Sequence, residues 1–319
     1  MAVTRNEDVE PKSPSTPVQL KICGNLMEVR FSRSPSVCPI KKISKNWGVD
    51  LRTGAAIQFK HSTTRADNLH SVAQSLRDVR DLVNCNTEDP DTVLWATLTY
   101  SSNMQNPKQL YEDYKKFWKR FCYHLEKHDL PSAEYLAIAE PQGRGAFHLH
   151  VLFLFYPHKR PFIPNSDMAH LWGHGFTVTK GLNGIWDPGL YLSCYLGDMD
   201  LENSIKNGTF NAGRLAEVEA RDQDGKTVKK SVVKKGRLSL YPPRFRLYRY
   251  SKGIQRPLVI QTTEGEAQAL IGSAPKTYEK TVAVIGADGE TKNVLNWRQY
   301  NKKYTKQKHE GQDDEQQKG

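Results

Sequence analysis

The sequence predicts an α+β protein in which an antiparallel sheet carries packed helices and is followed by a basic C-terminal extension. Runs of β-branched and aromatic residues at 92–100, 134–140, 146–155 and 176–180 indicate strands. Stretches with apolar residues at helical spacing lie between and after these runs. The order over residues 92–200 is therefore β-α-β-β-α-β-α. Such an order favours a sheet of sequential antiparallel strands with its helices on one side.

The elements expected ahead of this region are a tail, a hairpin and a helix. The first 18 residues are polar and rich in Pro and Ser, which predicts disorder. Residues 19–33 alternate about Gly24-Asn25, as the two strands of a β-hairpin would. Residues 63–83 are expected to contain a helix, because apolar side chains recur there at helical spacing: Leu69, Val72, Leu76, Val79 and Leu82.

Prolines mark two helix starts in the central region, since Pro is favoured in the first helical turn. Pro107 begins an amphipathic helix that extends to about Lys127. The sequence Pro-Gln-Gly-Arg-Gly at 141–145 is typical of a turn between two strands. A short helix is expected near 167–171, and Pro188 begins the last helix of the region.

Beyond residue 208 the pattern weakens, and only 258–261 and 281–285 resemble strands. The chain is expected to divide into five segments. These are a disordered tail (1–18), a hairpin and helical extension (19–90), a central catalytic domain (91–205), a basic DNA-binding or accessory region (206–300) and a second disordered tail (301–319).

Positive charge is concentrated in one part of the chain. The formal net charge is +11, and residues 225–260 contain eleven Lys or Arg and no acidic residue. Aromatic residues are interleaved with these charges, a composition that suits a polyanion whose bases stack on rings. A solvated basic face is an equally good interpretation of the charge alone. The residues expected to contact nucleic acid are Arg144, Lys234, Lys235, Arg237, Arg244, Arg246, Arg249, Lys252 and Arg256.

Several classes of protein are disfavoured. No apolar run approaches the length of a membrane span, and the N-terminal residues lack the layout of a signal peptide. Five scattered cysteines without a Cys-x-x-Cys pair favour reduced thiols in a cytoplasmic protein. The chain also lacks a Gly-x-x-x-x-Gly-Lys phosphate loop, which makes an attached helicase unexpected.

A candidate metal site lies in the strand that contains His148 and His150. Residues two apart on a strand point to the same face, so the two imidazoles are expected to lie side by side. Glu140 ends the preceding strand, and pairing of position 140 with position 148 would add its carboxylate to the same face. Two imidazoles and a carboxylate suit Mg²⁺, Mn²⁺ or Zn²⁺ with positions left open for substrate oxygens.

Tyr191 and Tyr195 are candidate nucleophiles. They lie four residues apart on the helix that begins at Pro188, and therefore share a helical face. A phenolate can attack a phosphodiester and retain one DNA end covalently. An aromatic core stripe is the alternative interpretation of such a pair.

The order of these motifs resembles the HUH replication initiators. Trp-Ala-Thr-Leu-Thr-Tyr (95–100) is similar to their first motif, and the stretch from Glu140 to Phe153 is similar to their second. Trp-Gly-His-Gly-Phe-Thr-Val-Thr (172–179) resembles the segment that follows, and Tyr-Leu-Ser-Cys-Tyr-Leu (191–196) occupies the place of their tyrosine motif. Phe-Arg-Leu-Tyr-Arg-Tyr-Ser-Lys-Gly-Ile-Gln-Arg-Pro (245–257) is similar to a segment near the end of plasmid and phage initiators.

One departure concerns the lysine that usually follows a tyrosine by three residues in this family. Cys194 and Asp198 stand at those places. Lys180, Lys206 or the basic region could supply the missing charge.

The resemblance implies an HUH fold, related to RRM-like and ferredoxin-like cores, and an enzyme that nicks and rejoins single-stranded DNA through a 5′-phosphotyrosine. It implies Mg²⁺ or Mn²⁺ as cofactor, held by Glu140, His148 and His150. The implied partners are single-stranded or hairpin origin DNA and a host helicase and DNA polymerase, in the cytoplasm of a bacterium that carries a plasmid, phage or integrated element. The alternatives are a single-strand transposase or relaxase, a non-catalytic nucleic-acid-binding protein, and a small hydrolytic metalloenzyme.

Overall fold

A computed structural model describes most of the chain. The described residues are 3–6, 13–34, 39–60, 69–183, 185, 187–197, 199–200, 205, 214–221, 227–234, 236–242, 245–286 and 288–304. Among the helices of these ranges, none combines the length and the apolar composition needed to cross a bilayer.

The elements follow one another in this order. The strands are β1 (Val3–Asn6), β2 (Pro17–Cys23), β3 (Leu26–Ser32), β4 (Ile40–Lys42), β5 (Trp47–Asp50), β6 (Ala56–Gln58), β7 (Val93–Thr99), β8 (Glu134–Pro141), β9 (Phe147–Leu154), β10 (Thr177–Lys180), β11 (Met199–Asp200), β12 (Arg214–Arg221), β13 (Thr227–Lys234), β14 (Tyr248–Tyr250), β15 (Leu258–Thr263), β16 (Lys276–Ile285) and β17 (Thr291–Asn301). The helices are α1 (Leu69–Asn86), α2 (Pro107–Lys127), α3 (Asn165–Trp172), α4 (Pro188–Gly197) and α5 (Glu264–Ile271). Short 3₁₀ helices span Pro90–Thr92 and Gly236–Leu240.

The chain forms two compact units. Both ends of the chain, Met1–Ser36 and Leu258–Gly319, make the first unit, and Val37–Pro257 make the second. The described strands of the first unit form one antiparallel sheet in the order β1-β16-β17-β3-β2-β15. Helix α5 packs on this sheet through Ala267 and Ile271, which share a core with Leu20 and Val29.

The second unit contains the sheet that carries the candidate site. Its described strands run in the order β10-β7-β9-β8-β14, and every neighbouring pair is antiparallel. Two smaller antiparallel sheets, β4-β5-β6 and β11-β13-β12, belong to the same unit. Strands β8 and β9 form a hairpin whose turn includes Gly145 at φ 85°, a left-handed conformation that favours glycine.

Helices cover both faces of this sheet because side chains alternate along each strand. On β9, Leu149, Val151 and Phe153 pack with residues of α2 and α3 on one face. Leu152 and Leu154 point to the other face, where they share a core with residues of α1 and α4. Deep burial on both faces explains why β9 is apolar nearly throughout.

The structure confirms the α+β class and the antiparallel sheet with packed helices. The expected hairpin, helices and strands of residues 19–33 and 92–200 are present, mostly within two residues of their predicted bounds. The expectation that the helices lie on one side is wrong, because α1 and α4 cover the second face. The functional boundaries expected at residues 90 and 205 both fall within the second unit, and they stay predictions.

Two parts of the chain contain more structure than their composition indicated. Within residues 1–18, β1 pairs with β16 and the first residues of β2 pair with β15. Beyond residue 208, β12 and β13 pair over their full lengths. Their polar side chains alternate without a clear apolar face, which is why the sequence pattern did not indicate them.

Candidate metal centre and tyrosine site

The β8–β9 hairpin brings Glu140, His148 and His150 together. Glu140 lies directly opposite His148 in the antiparallel register, and Ile138 lies opposite His150. The pairing of positions 140 and 148 that the sequence predicts is therefore confirmed. Since Leu152 belongs to the core under α1 and α4, the two histidines of the same strand face that side as well.

The side chains of these three residues converge. Oε2 of Glu140 lies 2.9 Å from Nε2 of His148 and 2.5 Å from Nε2 of His150. Glu140 and His150 are buried and His148 is half-buried. On its other side, Nδ1 of His150 lies 3.3 Å from Oγ1 of Thr97, the residue opposite it on β7. A hydrogen bond at the second ring nitrogen fixes the orientation of an imidazole, as it does at metal sites.

The charges of this cluster follow from burial and contacts. Burial acts to raise the pKa of Glu140, but hydrogen bonds with both histidines and the charge of Arg237 outweigh burial and hold that pKa well below its usual range. Burial lowers the pKa of His150, and the neighbouring carboxylate only partly opposes this effect. At neutral pH Glu140 is therefore ionised and His150 is uncharged, which are the protonation states that a metal ligand requires.

The donor set fits a divalent cation. One nitrogen or oxygen atom from each of the three residues lies within 4.8 Å of the others. Around an octahedral ion with bonds of about 2.1 Å, adjacent ligand atoms are about 3 Å apart and opposite ones about 4 Å. The observed spacing matches these values after a small outward shift of the rings. A carboxylate and two imidazoles accept several divalent ions, and the arrangement does not choose among them.

Tyr191 lies one aromatic ring away from this cluster. The ring of Trp95 contacts His150 edge-to-face at 5.7 Å between centroids, and it contacts Tyr191 in the same manner, also at 5.7 Å. Trp95 is buried, whereas Tyr191 is 36 % exposed. Lys180 of β10 lies opposite Trp95, and its Nζ is 3.8 Å from the Trp95 ring centre and 5.7 Å from that of Tyr191. An accessible phenol and a cation therefore adjoin the Glu-His-His cluster.

Contacts with α1 fix the helix that carries Tyr191. Asp187 is buried and accepts hydrogen bonds from Arg80 at 2.6 Å, from Asn84 at 2.9 Å and from the backbone N–H of Leu190 at 2.8 Å. The Asn84 side chain in turn accepts a bond from the Gly189 N–H. These bonds satisfy backbone donors at the start of α4, which have no partner within the helix. The first turn of α4 is thus held against α1.

The residues expected to bind nucleic acid fall into three groups. Arg237 lies at the metal cluster, where its Nη1 is 2.6 Å from Oε1 of Glu140. Four others lie on or near the edge strand β14 (Arg246, Arg249, Lys252 and Arg256), and Arg144 is exposed in the β8–β9 turn. Lys235 and Arg244 lie outside the described residues, as do the side chains of Lys234 and Tyr195.

Three residues at the site were not singled out from the sequence. Thr97 and Trp95 alternate on β7 and face the cluster, and this alternation is the signal that could have indicated them. Asp187, directly before Pro188, stands where a residue that caps a helix start is expected. Lys180 was one of three alternatives for the missing positive charge, and it is the one that the described contacts bring to Tyr191.

The fold and the cluster define an antiparallel α+β domain with a candidate metal site beside an exposed tyrosine. Residues 93–200, about a third of the chain, match the family model of the replication-associated protein ORF2. The matched segment contains Glu140, both histidines and Tyr191, and it is a replication-associated protein domain. This match confirms the resemblance to rolling-circle replication initiators of the HUH superfamily. No curated protein and no solved structure gives a significant match to the chain.

Proposed function

We propose that this protein is a replication initiator that nicks and rejoins single-stranded DNA at an origin and so starts rolling-circle replication. The observation that carries the proposal is the contact of one indole ring, Trp95, with both His150 of the cluster and the exposed Tyr191. This contact brings an accessible nucleophile to the place where a cation would hold a phosphate.

Tyr191 is the proposed nucleophile. Its phenolic oxygen attacks the scissile phosphorus, and its proton passes to solvent. The bond between phosphorus and the 3′-oxygen breaks, and that oxygen takes up a proton to leave a 3′-hydroxyl. The 5′ end remains on Tyr191 as a phosphodiester. Attack of a 3′-hydroxyl on this linkage rejoins the strand and restores the phenol, and Tyr195 is the proposed partner for a second transfer.

Glu140, His148 and His150 would hold Mg²⁺ or Mn²⁺. A bound cation would polarise the non-bridging oxygens of the phosphate and favour departure of the 3′-oxygen. Lys180 adds a positive charge beside the attacking phenol. The basic residues around β14 and Arg144 would bind the DNA backbone, mainly through phosphate contacts. A host helicase and polymerase would then extend the free 3′-hydroxyl in the bacterial cytoplasm.

The test is covalent capture of DNA. The protein is incubated with a library of labelled single-stranded oligonucleotides, including hairpins, with Mn²⁺ or with EDTA. We expect a denaturation-resistant adduct with Mn²⁺ and none with EDTA, and mass mapping should locate the nucleotide on Tyr191 or Tyr195. The Tyr191→Phe, Tyr195→Phe variant should bind DNA without forming the adduct. Tyr123→Phe is the matched control, because Tyr123 is an exposed tyrosine of α2.

Two outcomes would contradict the proposal. An adduct that persists in the double variant would exclude these tyrosines as the nucleophiles. EDTA-insensitive binding without any cleavage would instead favour a non-catalytic nucleic-acid-binding protein on the same fold. A transposase or relaxase would give the same adduct, and only its origin dependence in a replication assay would differ.

A further inference from the structure

Arg237 divides the carboxylate of Glu140 between two sets of contacts. Nη1 of Arg237 lies 2.6 Å from Oε1 of Glu140, whereas Oε2 faces the two imidazoles at 2.9 and 2.5 Å. The same Nη1 donates a hydrogen bond to the carbonyl of Pro141 at 2.7 Å. One oxygen of Glu140 thus contacts an arginine, and the other is directed to the place where a cation would bind.

The segment that carries Arg237 is anchored to β8. Leu238 and Tyr241 are each 1 % exposed and belong to the core on the α2 face. The Tyr241 hydroxyl donates to the carbonyl of Ala139, and the Ala139 N–H donates to the carbonyl of Leu247. These contacts fix the backbone beside Glu140. The side chain of Arg237 is itself only 14 % exposed, so this arginine belongs to the metal cluster and not to an open DNA-binding surface.

The charge of Arg237 changes what the cluster can bind. A carboxylate and two uncharged imidazoles would give a divalent cation a site of net charge −1. Arginine remains protonated in proteins, so Arg237 brings the net charge of the group to zero. In a buried setting, a full positive charge about one side chain away from a cation opposes its binding strongly. A phosphodiester carries the negative charge that the cluster then lacks.

We propose that Arg237 couples cation binding to phosphate binding. This inference rests on the proposed function and goes beyond it, because it assigns a role to a residue outside the ligand set. Arg237 keeps the affinity of the DNA-free protein for the cation low and limits Glu140 to a single ligating oxygen. The arriving DNA phosphate supplies the missing charge, so cation and DNA strengthen each other's binding. Linkage requires this strengthening to be reciprocal.

The test measures Mn²⁺ binding instead of cleavage. Free Mn²⁺ is followed by electron paramagnetic resonance in the Tyr191→Phe, Tyr195→Phe parent, with and without a single-stranded oligonucleotide of mixed sequence. We expect the oligonucleotide to raise the Mn²⁺ affinity of the parent by about tenfold or more, a typical size for coupling between two sites. With Arg237→Gln, the DNA-free affinity should rise by about tenfold, and the gain from the oligonucleotide should shrink to less than about threefold.

Three further variants make the outcome decisive. Arg237→Lys retains the charge and should behave as the parent does, which also covers a failure of Arg237→Gln to fold. Arg246→Gln removes an exposed charge from the same basic region and should leave the DNA-free Mn²⁺ affinity unchanged. Glu140→Gln should abolish specific Mn²⁺ binding.

The possible failures are distinguishable. If Mn²⁺ binding is absent or unaffected by Glu140→Gln, the proposed metal centre is wrong, and the coupling falls with it. If binding depends on Glu140 but Arg237→Gln binds Mn²⁺ no more tightly than the parent without DNA, only the coupling is overturned. Tighter DNA-free binding by Arg237→Lys would overturn it too, because the effect would then not follow the charge.

Discussion

Lys180 and Trp95 lie directly opposite each other on β10 and β7, and the ammonium group of the lysine is 3.8 Å from the centre of the indole ring. A cation at this distance is attracted by the face of the ring. Tyr191 contacts the edge of the same indole. The pair therefore supplies a fixed positive charge at the proposed nucleophile, although no lysine follows Tyr191 at the spacing usual for the family.

The first prediction concerns this charge. Lys180→Met should lower the rate of adduct formation by on the order of 10²-fold, because a cation that stabilises charge developing at the phenol and the phosphate is lost. Lys180→Arg should retain most of the rate. The measurement is single-turnover adduct formation at saturating DNA. Lys108→Met, at an exposed position of α2, is the control. Equal rates for Lys180→Met and the wild type would show that this charge has no role in the reaction.

A second prediction concerns the buried carboxylate before α4. Asp187→Ala should lower the free energy of unfolding by about 3 kcal/mol, since the change leaves Arg80, which is largely buried, without its carboxylate. Asp91→Ala removes the exposed partner of Arg160, where the two groups are 3.7 Å apart, and should cost less than about 1 kcal/mol. Urea unfolding of both variants checks the difference. Similar losses would mean that Asp187 does not anchor α4.

The close contact of α1 and α4 gives a third prediction. A Cβ on Gly189 would lie 2.4 Å from the backbone oxygen of Arg80 and 2.9 Å from its Cα. Backbone atoms cannot move aside as a flexible side chain can, so Gly189→Ala should displace the start of α4. We expect adduct formation to fall by about tenfold or more while Mn²⁺ binding persists, because small misplacements of reacting groups are costly. Gly54→Ala tests a glycine with no atom within 4 Å of its added Cβ. Unchanged adduct formation in Gly189→Ala would contradict the proposed positioning.

The fourth prediction is a pH dependence that originates at His150. Its folded-state pKa lies below the usual 6.5, because burial disfavours the charged form. Between these two pKa values the unfolded chain binds more protons than the folded protein, so stability falls as pH decreases from neutral through 6.5. In EDTA, the free energy of unfolding should therefore decrease from pH 7.5 to pH 5.5. His150→Gln should reduce the slope. A slope that His150→Gln leaves unchanged would assign the effect to other groups, such as His124, whose pKa burial also lowers.

Local patterns were sufficient to predict the hairpin that carries the candidate ligands. Alternation of side chains along β9 and the length of the β8–β9 turn decide which residues share a face, so Glu140, His148 and His150 could be brought together from the sequence. The start of α4 was equally readable, because Pro188 favours the first helical turn.

Contacts between distant segments could not be predicted in the same way. Arg237 was grouped with the DNA-binding residues because its neighbours in sequence are basic, and its contact with Glu140 depends on how the segment after β13 packs on β8. The role of α1 in holding α4 likewise depends on Arg80 and Asn84, which lie more than a hundred residues before Asp187. Spacing along the chain contains no signal for such pairs.

The last prediction separates two arginines of the basic region by their surroundings. The guanidinium carbon of Arg249 lies 3.7 Å from the centre of the Tyr111 ring, whereas Arg246 is exposed. Arg246→Ala should therefore weaken binding of single-stranded DNA and reduce its dependence on the logarithm of salt concentration by about one phosphate contact, or roughly 0.7 in slope. Arg249→Ala should change that slope less and lower the free energy of unfolding by about 1 kcal/mol through loss of stacking. Fluorescence anisotropy across a salt series and urea unfolding measure the two effects. An equal loss of slope with no loss of stability in Arg249→Ala would show that Arg249 binds phosphate in the same way as its exposed neighbour, because a guanidinium that mainly packs on Tyr111 releases few counterions when DNA binds.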